Sequence, residues 1–298
     1  MQLPLFSART MPVKNDAYRK NGVQVAVLRL DEIHPVISGN KWFKLRPYLE
    51  EAAAHGKKAV LTFGGAYSNH ILATAAACPL YGLQSIGIIR GEVPDRLAPT
   101  LTETQQYGMQ LFFTSRESYR SGTIPEPVYD RFDKESIYNI SEGGYGEKGM
   151  QGSMDIFKSC PAQQFTHIIA AVGTGTMLSG LSNSARSFQK VIGISVLKNN
   201  ISIEQEIQKL LHPQKKVQLL HDFHFGGYAK YTPVLLQFMN DWFAATGIPT
   251  DFVYTAKTFY AADQLIRNGI FPPGSSLLLV HSGGLQGNRS LPRGVLCY

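Results

Sequence analysis

The feature that most limits how this 298-residue chain can fold is a repeated order of short apolar run, turn and amphipathic stretch, with few hairpin signals between the runs. Val23 to Leu30, Ala59 to Phe63, Gln84 to Ile89, Gln110 to Thr114 and Ile137 to Ile140 read as strands. So do His167 to Val172, Val191 to Val196, Val217 to Leu220 and Ser276 to Val280. Between them, apolar positions recur at helical spacing over Phe43 to His55, from His70 through Tyr81, and over Pro99 to Tyr107 and Gly149 to Ser159. The same spacing continues after Thr176 and over Ile201 to Leu211, Pro233 to Thr246 and Lys257 to Asn268. Such alternation predicts an α/β protein whose mostly parallel sheets are covered by helices on both faces. The residues before Val23 read as an irregular start, and the polar stretch Ser115 to Glu135 as a surface excursion.

Composition narrows the partners. With 44% hydrophobic and 17% charged residues the chain can bury a large core without staples. Three scattered cysteines, Cys78, Cys160 and Cys297, suggest neither a disulfide framework nor a metal site, and favour a reducing compartment. Met1 to Met11 contain no basic segment followed by an apolar core, and no run approaches the roughly 18 apolar residues of a membrane helix. The expectation is a cytoplasmic protein with no membrane partner. The net charge of +7 is spread along the chain without an arginine-rich or aromatic-interleaved block, so an anionic small molecule explains it better than nucleic acid.

Three glycine turns end three of the expected strands. Gly173-Thr174-Gly175-Thr176 precedes a helix, so its N–H groups, hydroxyls and the helix's positive end suit a phosphate. It fits neither the triphosphate-binding loop nor the dinucleotide fingerprint, which leaves a generic nucleotide-binding protein as the last of the readings, and a ligand-free tight turn is the plain alternative. Gly64-Gly65-Ala66-Tyr67-Ser68-Asn69 offers a hydroxyl and an amide at another strand end, although Ser68 also suits a simple helix cap. His281-Ser282-Gly283-Gly284 is the third turn. Ligands in open α/β sheets collect beyond the carboxyl ends of strands, so the three turns are expected to face one cleft. Ser38-Gly39-Asn40-Lys41 enters a helix beside them, with Lys44 one turn further on. A lysine near a helix start, once desolvated, becomes a usable nucleophile. Lys41 in isolation reads as a solvated loop residue; together with a phosphate cradle and no metal cluster it points to pyridoxal phosphate.

These motifs resemble the fold type II pyridoxal-phosphate enzymes, specifically the 1-aminocyclopropane-1-carboxylate deaminase and D-cysteine desulfhydrase family. Ser38-Gly39-Asn40-Lys41-x-x-Lys44-Leu45 is similar to that family's G-G-N-K-x-R-K-L. Gly65 to His70 is similar to G-x-Q-S-N-x, Glu142-Gly143-Gly144 to E-G-G, Val253-Tyr254-Thr255-Ala256-Lys257 to V-Y-x-G-K, and His281 to Gly284 to H-x-G-G. The resemblance runs from about Asp31 to Gly284. It implies a tryptophan synthase β-like architecture, with a large cofactor-binding domain of residues 1–46 and 150–298, a small inserted domain of residues 47–149, and a homodimer. It also implies that Lys41 carries the cofactor and shuttles the substrate α-proton. Lys44 and Gly173, Thr174, Gly175 and Thr176 hold the phosphate, Asn69 bonds the pyridine 3-oxygen, and Ser68 binds the substrate carboxylate. Tyr254 and Tyr228 approach the substrate, the alternative for each being a packed aromatic.

Two positions separate the family's activities. Where the cyclopropane-opening deaminases resembled here carry glutamate and leucine, this chain has Thr255 and Ser282, as on the desulfhydrase side. A hydroxyl supplies no full charge to support a protonated pyridine nitrogen. The expectation is therefore α,β-elimination from a small amino acid to give pyruvate, ammonia and a thiol. Ring opening to 2-oxobutanoate, or cofactor binding without turnover, remain the alternatives. Phe43 and Tyr67 depart from the family's arginine and glutamine and are expected at or near the substrate pocket; the chain is also somewhat shorter than typical members.

Overall fold

A computed structural model describes residues 8–160 and 162–298. The first seven residues, part of the expected irregular start and of the large domain, lie outside them. In chain order the strands are β1 (Thr10–Pro12), β2 (Gln24–Arg29), β3 (Ala59–Gly64), β4 (Gln84–Arg90), β5 (Gln110–Thr114), β6 (Ile137–Ile140), β7 (His167–Val172), β8 (Lys190–Ser195), β9 (Gln218–Leu220) and β10 (Ser276–His281). The α-helices are α1 (Asp16–Lys20), α2 (Asn40–Ala54), α3 (Asn69–Ala77), α4 (Pro99–Gln106), α5 (Arg116–Arg120), α6 (Glu147–Met154), α7 (Thr176–Ser184), α8 (Ser202–Gln208), α9 (Pro233–Thr246) and α10 (Thr255–Arg267).

The strands form two sheets, ordered β1-β2-β10-β7-β8-β9 and β5-β4-β3-β6. All pairings are parallel except β1 with β2, which set Thr10 against Leu28 and Met11 against Val27. The expected α/β architecture is borne out. Strands covered on both faces read as unbroken apolar runs, and β7 (His-Ile-Ile-Ala-Ala-Val) is buried along its whole length. Burying each of its isoleucines contributes about 1.5–3 kcal/mol by the usual transfer scale. The first strand escaped the sequence reading because three residues ending in proline give no alternation to detect. The excursion at 115–135 contains α5, and the helix expected through Tyr81 tightens into a 3₁₀ turn at Cys78–Tyr81, where Pro79 enters.

Helices α2, α6 and α7 pack against one another between the sheets, and small residues let their backbones touch. A Cβ on Gly152 would stand 2.0 Å from the Phe43 carbonyl oxygen, and one on Gly180 would meet the Met150 carbonyl at 2.6 Å. That closeness brings Lys44 of α2 to the start of α7. The domain limits expected at 46/47 and 149/150 fall inside α2 and α6, the helices that occupy this seam. Among the described residues no helix is long and apolar enough to cross a membrane.

Candidate active site

Strand β10 sets the first part of the site. At its last residue, His281 Nε2 donates to the Pro249 carbonyl at 2.7 Å and its Nδ1 accepts from Gly283 N at 3.3 Å, which fixes the following turn. That turn lies directly on the entry to α2. Asn40 N donates to Ser282 O at 3.1 Å, and a Cβ on Gly39, whose φ is +67°, would come within 2.0 Å of the same oxygen. Only glycine fits there, because the backbone approach leaves no room and the conformation is left-handed. The next residue but one is Lys41. Its Nζ donates to Asn40 Oδ1 at 2.8 Å, and burial pulls its pKa down to about 8, although the Asp251 charge works in the opposite direction.

Lys41 opens onto a cavity of about 470 Å³. The sequence-selected residues Lys44, Ser68, Asn69, Gly173, Thr174, Gly175, Tyr228, Tyr254 and Ser282 line it as well, so the three glycine turns meet at one place. Ser68 serves both readings: it lines the cavity and caps α3, with its oxygen accepting from Ile71 N at 3.3 Å. Lys44 is almost fully buried, with Nζ 3.2 Å from Gly143 O and 3.4 Å from Thr174 Oγ1. Burial, and next the Lys41 charge, hold its pKa well below the lysine range.

Two selected residues stand behind the wall. Thr176, the first residue of α7, reaches Thr174 Oγ1 at 3.0 Å but does not line the cavity. Thr255 is fully buried and donates its hydroxyl to Asp251 Oδ1 at 2.7 Å. Of the two departures expected near the pocket, Tyr67 lines the cavity and is 40% exposed. Phe43 does not: it belongs to the core of the α2 seam, and the expectation is corrected. Its position on α2 turns it away from the face that carries Lys41 and Lys44.

Sequence reasoning missed Asp251. This fully buried carboxylate accepts from Val253 N (3.0 Å), Tyr254 N (2.8 Å), Thr255 N (2.9 Å) and the Thr255 hydroxyl, fixing the start of α10. An acidic residue three before the tyrosine was the available signal. Tyr254 and Tyr228 meet edge-on, with centroids 6.3 Å apart. Burial raises both phenols; Tyr254 lies well above its ordinary value, because the Tyr228 and Asp251 charges add to burial, so its proton is the more firmly held. His70 was missed as well. The Thr62 hydroxyl gives its one hydrogen to Ile140 O, so His70 Nε2 must donate to Thr62 Oγ1, leaving a buried Nδ1 that accepts from nothing. Burial, with Lys41 and Lys44 beside it, keeps that ring neutral.

The chain matches the pyridoxal-phosphate dependent enzyme family over residues 4–283, and it belongs to that family. A solved structure described as a 1-aminocyclopropane-1-carboxylate deaminase homologue superposes with a TM-score of 0.83, at 26% identity, over 96% of this chain and 92% of the other. The Arabidopsis thaliana bifunctional D-cysteine desulfhydrase/1-aminocyclopropane-1-carboxylate deaminase is 27% identical, covering 90% of this chain and 74% of its own. Klebsiella pneumoniae D-cysteine desulfhydrase is 24% identical, covering 88% and 87%. The chain is thus similar to proteins carrying both names weighed above.

The residues present fit the family's cofactor. Asn69 lines the cavity with an amide whose Oδ1 is buried without a protein partner and whose Nδ2 can donate to an oxygen there, Lys44 holds a desolvated amine with only long contacts, and Gly173 to Gly175 line the cavity at the positive end of α7. Among the described residues no cluster of His, Cys, Asp or Glu could hold a metal ion. The depressed Lys41 pKa has a measurable result. Apoprotein should take up pyridoxal phosphate faster as pH rises, levelling off above about 8, because the neutral amine is the attacking form. An inflection near 10.5, the ordinary lysine value, in stopped-flow absorbance would mean that Lys41 is solvated. Below that ordinary value the folded chain binds fewer protons than the unfolded one, so the burial penalty eases as pH climbs from about 8 to 10.5.

Proposed function

We propose that this enzyme catalyses α,β-elimination from a small amino acid bearing a thiol or hydroxyl on its β-carbon. The observation that carries the reading is the gathering of Lys41, Lys44, Ser68, Asn69 and the Gly173 turn around one cavity. Pyridoxal phosphate, when bound, supplies an electron sink for the charge left by α-proton loss. Lys44 and the backbone of Gly173 to Gly175 hold its phosphate, with Thr176 setting the end of α7 behind them. Asn69 bonds its 3-oxygen, and the Ser68 hydroxyl orients the substrate carboxylate. Lys41 Nζ, which lines the cavity, would take the substrate α-proton as the base. The electron pair of that bond forms the Cα–Cβ double bond as the thiol or hydroxyl leaves with its own pair. Tyr254 keeps its proton at neutral pH and is available to the departing atom, with Tyr228 orienting it. Released 2-aminoacrylate tautomerises and takes up water to give pyruvate and ammonia.

Thr255 and Ser282 support elimination over ring opening: the first supplies no carboxylate where the resembled deaminases carry glutamate, and the second is a hydroxyl where they carry leucine. The buried Asp251, which accepts from the Thr255 hydroxyl, does not line the cavity either. The reading also takes residues 47–149 as the small domain with α2 and α6 at its edges, a homodimer, and a cytoplasmic setting. Holoenzyme incubated with D- and L-cysteine, serine and their β-substituted analogues should release pyruvate and ammonia in equal amounts from at least one. Production of 2-oxobutanoate from 1-aminocyclopropane-1-carboxylate without pyruvate from any of the others would replace this reading with the deaminase one. Cofactor binding without a spectral response to any amino acid would replace it with a non-catalytic role.

A further inference from the structure

Lys257 is among the largest fully buried side chains of the described residues and lies outside the cavity lining. Its Nζ donates to His224 O at 2.9 Å and to Gly227 O at 2.7 Å, about thirty residues earlier in the chain. Those two carbonyls are the acceptors of two consecutive turns. Gly227 N donates back to His224 O at 3.0 Å, and Lys230 N to Gly227 O at 3.2 Å. The ammonium therefore ties both turns to α10 at the oxygens that close them.

The turns are held in an unfavourable shape. Phe225 and Ala229 have φ of +50° and +53°, between which Gly226 and Gly227 have +94° and +114°. A side-chain-bearing residue in the left-handed region costs on the order of 1 kcal/mol, and two in five residues persist only where the surroundings over-determine them. Tyr228 is the second residue of the second turn, and it is the one whose ring reaches the cavity and meets Tyr254 edge-on. Tyr254 and Lys257 lie at the start of the same helix, which Asp251 fixes. Burial lowers the Lys257 pKa to about 8, and the nearby Asp251 charge opposes the fall.

We propose that Lys257 is a positioning residue for the elimination reaction, its ammonium strapping the His224–Lys230 turns to α10 so that Tyr228 is held over Tyr254 at the cavity. The proposal rests on the reading in which Tyr228 faces the substrate. It extends that reading by assigning a task to the lysine of the Val253 to Lys257 motif, which touches neither the cavity nor the expected cofactor position. Lys257 acts through the backbone of a distant loop, so its loss should appear in turnover by way of one phenol.

The test is a double-mutant cycle on the holoenzyme with the best eliminating substrate. Lys257→Met keeps the length and volume of the buried chain and removes the donors. It should lower kcat about 10-fold to 100-fold with KM changed less than about 3-fold, while the cofactor absorbance stays that of the parent. Tyr228→Phe should lower kcat comparably. The double variant should be no worse than about 3-fold below the slower single, since both act at one point. Multiplying losses would overturn the proposal, as would an unchanged kcat in Lys257→Met. Hydrogen exchange on the unmodified holoenzyme stands independently of whether Lys257→Met folds. Amides of residues 226, 227 and 230 should exchange as slowly as those of α10; exchange at the rate of an open loop would overturn the strap. If no amino acid is turned over at all, the functional reading fails, while the exchange result still decides the strap.

Discussion

Replacing Lys41 with alanine is expected to lower kcat/KM by more than about a thousandfold, because in the proposed mechanism the change removes both the amine that carries the cofactor and the base at the substrate α-carbon. Folding should not suffer. The wild-type ammonium is desolvated, with one side-chain acceptor in Asn40, and its removal relieves a burial cost rather than breaking a network. Lys41→Ala should therefore melt no lower than the parent apoprotein, while its cofactor absorbance no longer moves on borohydride addition. Small primary amines should restore a measurable part of the turnover, since the cavity left by the side chain opens beside Asn40. Activity within tenfold of the parent would remove Lys41 from the reaction.

The second large effect is at Asp251. In Asp251→Ala, three backbone N–H groups at the start of α10 and the Thr255 hydroxyl lose their acceptor in a fully buried place. An orphaned buried donor costs about 1–3 kcal/mol and the terms are not additive, so a loss of about 3–5 kcal/mol in urea unfolding is expected. Activity should fall further than stability explains, because Tyr254 is one of the residues whose backbone is released. Asp251→Asn separates charge from shape. The Asp251 charge raises Lys41, so neutralising it should move the plateau of cofactor uptake below pH 8. A plateau that stays in place would mean that the charge does not reach Lys41.

The parts of this site legible in the sequence are those where local chemistry announces itself. Glycine turns at strand ends reported both their geometry and their common cleft, and Lys41 gained its meaning from them. Asp251 gave no comparable signal, because its partners are backbone N–H groups within four residues, an arrangement that any helix start can show. Phe43 misled for a different reason. Its position in a motif placed it near the pocket, but α2 presents Lys41 and Lys44 on one face and Phe43 on another, where its carbonyl meets Gly152. The expected domain limits fall inside α2 and α6, and amphipathic spacing says nothing of which sheet a helix covers. Lys257 was visible only as a motif letter. Its partners, His224 and Gly227, lie far enough away in sequence that only the fold joins them.

Three lysines shielded from solvent, Lys41, Lys44 and Lys257, have depressed pKa values, and the proposed function assigns the covalent attachment to Lys41. Borohydride reduction of the holoenzyme, followed by protease digestion and mass spectrometry, reads which one it is. The pyridoxyl group is expected on the peptide containing Lys41 and at that residue alone. Its recovery on Lys44 or Lys257, or its absence from every lysine, would contradict the account.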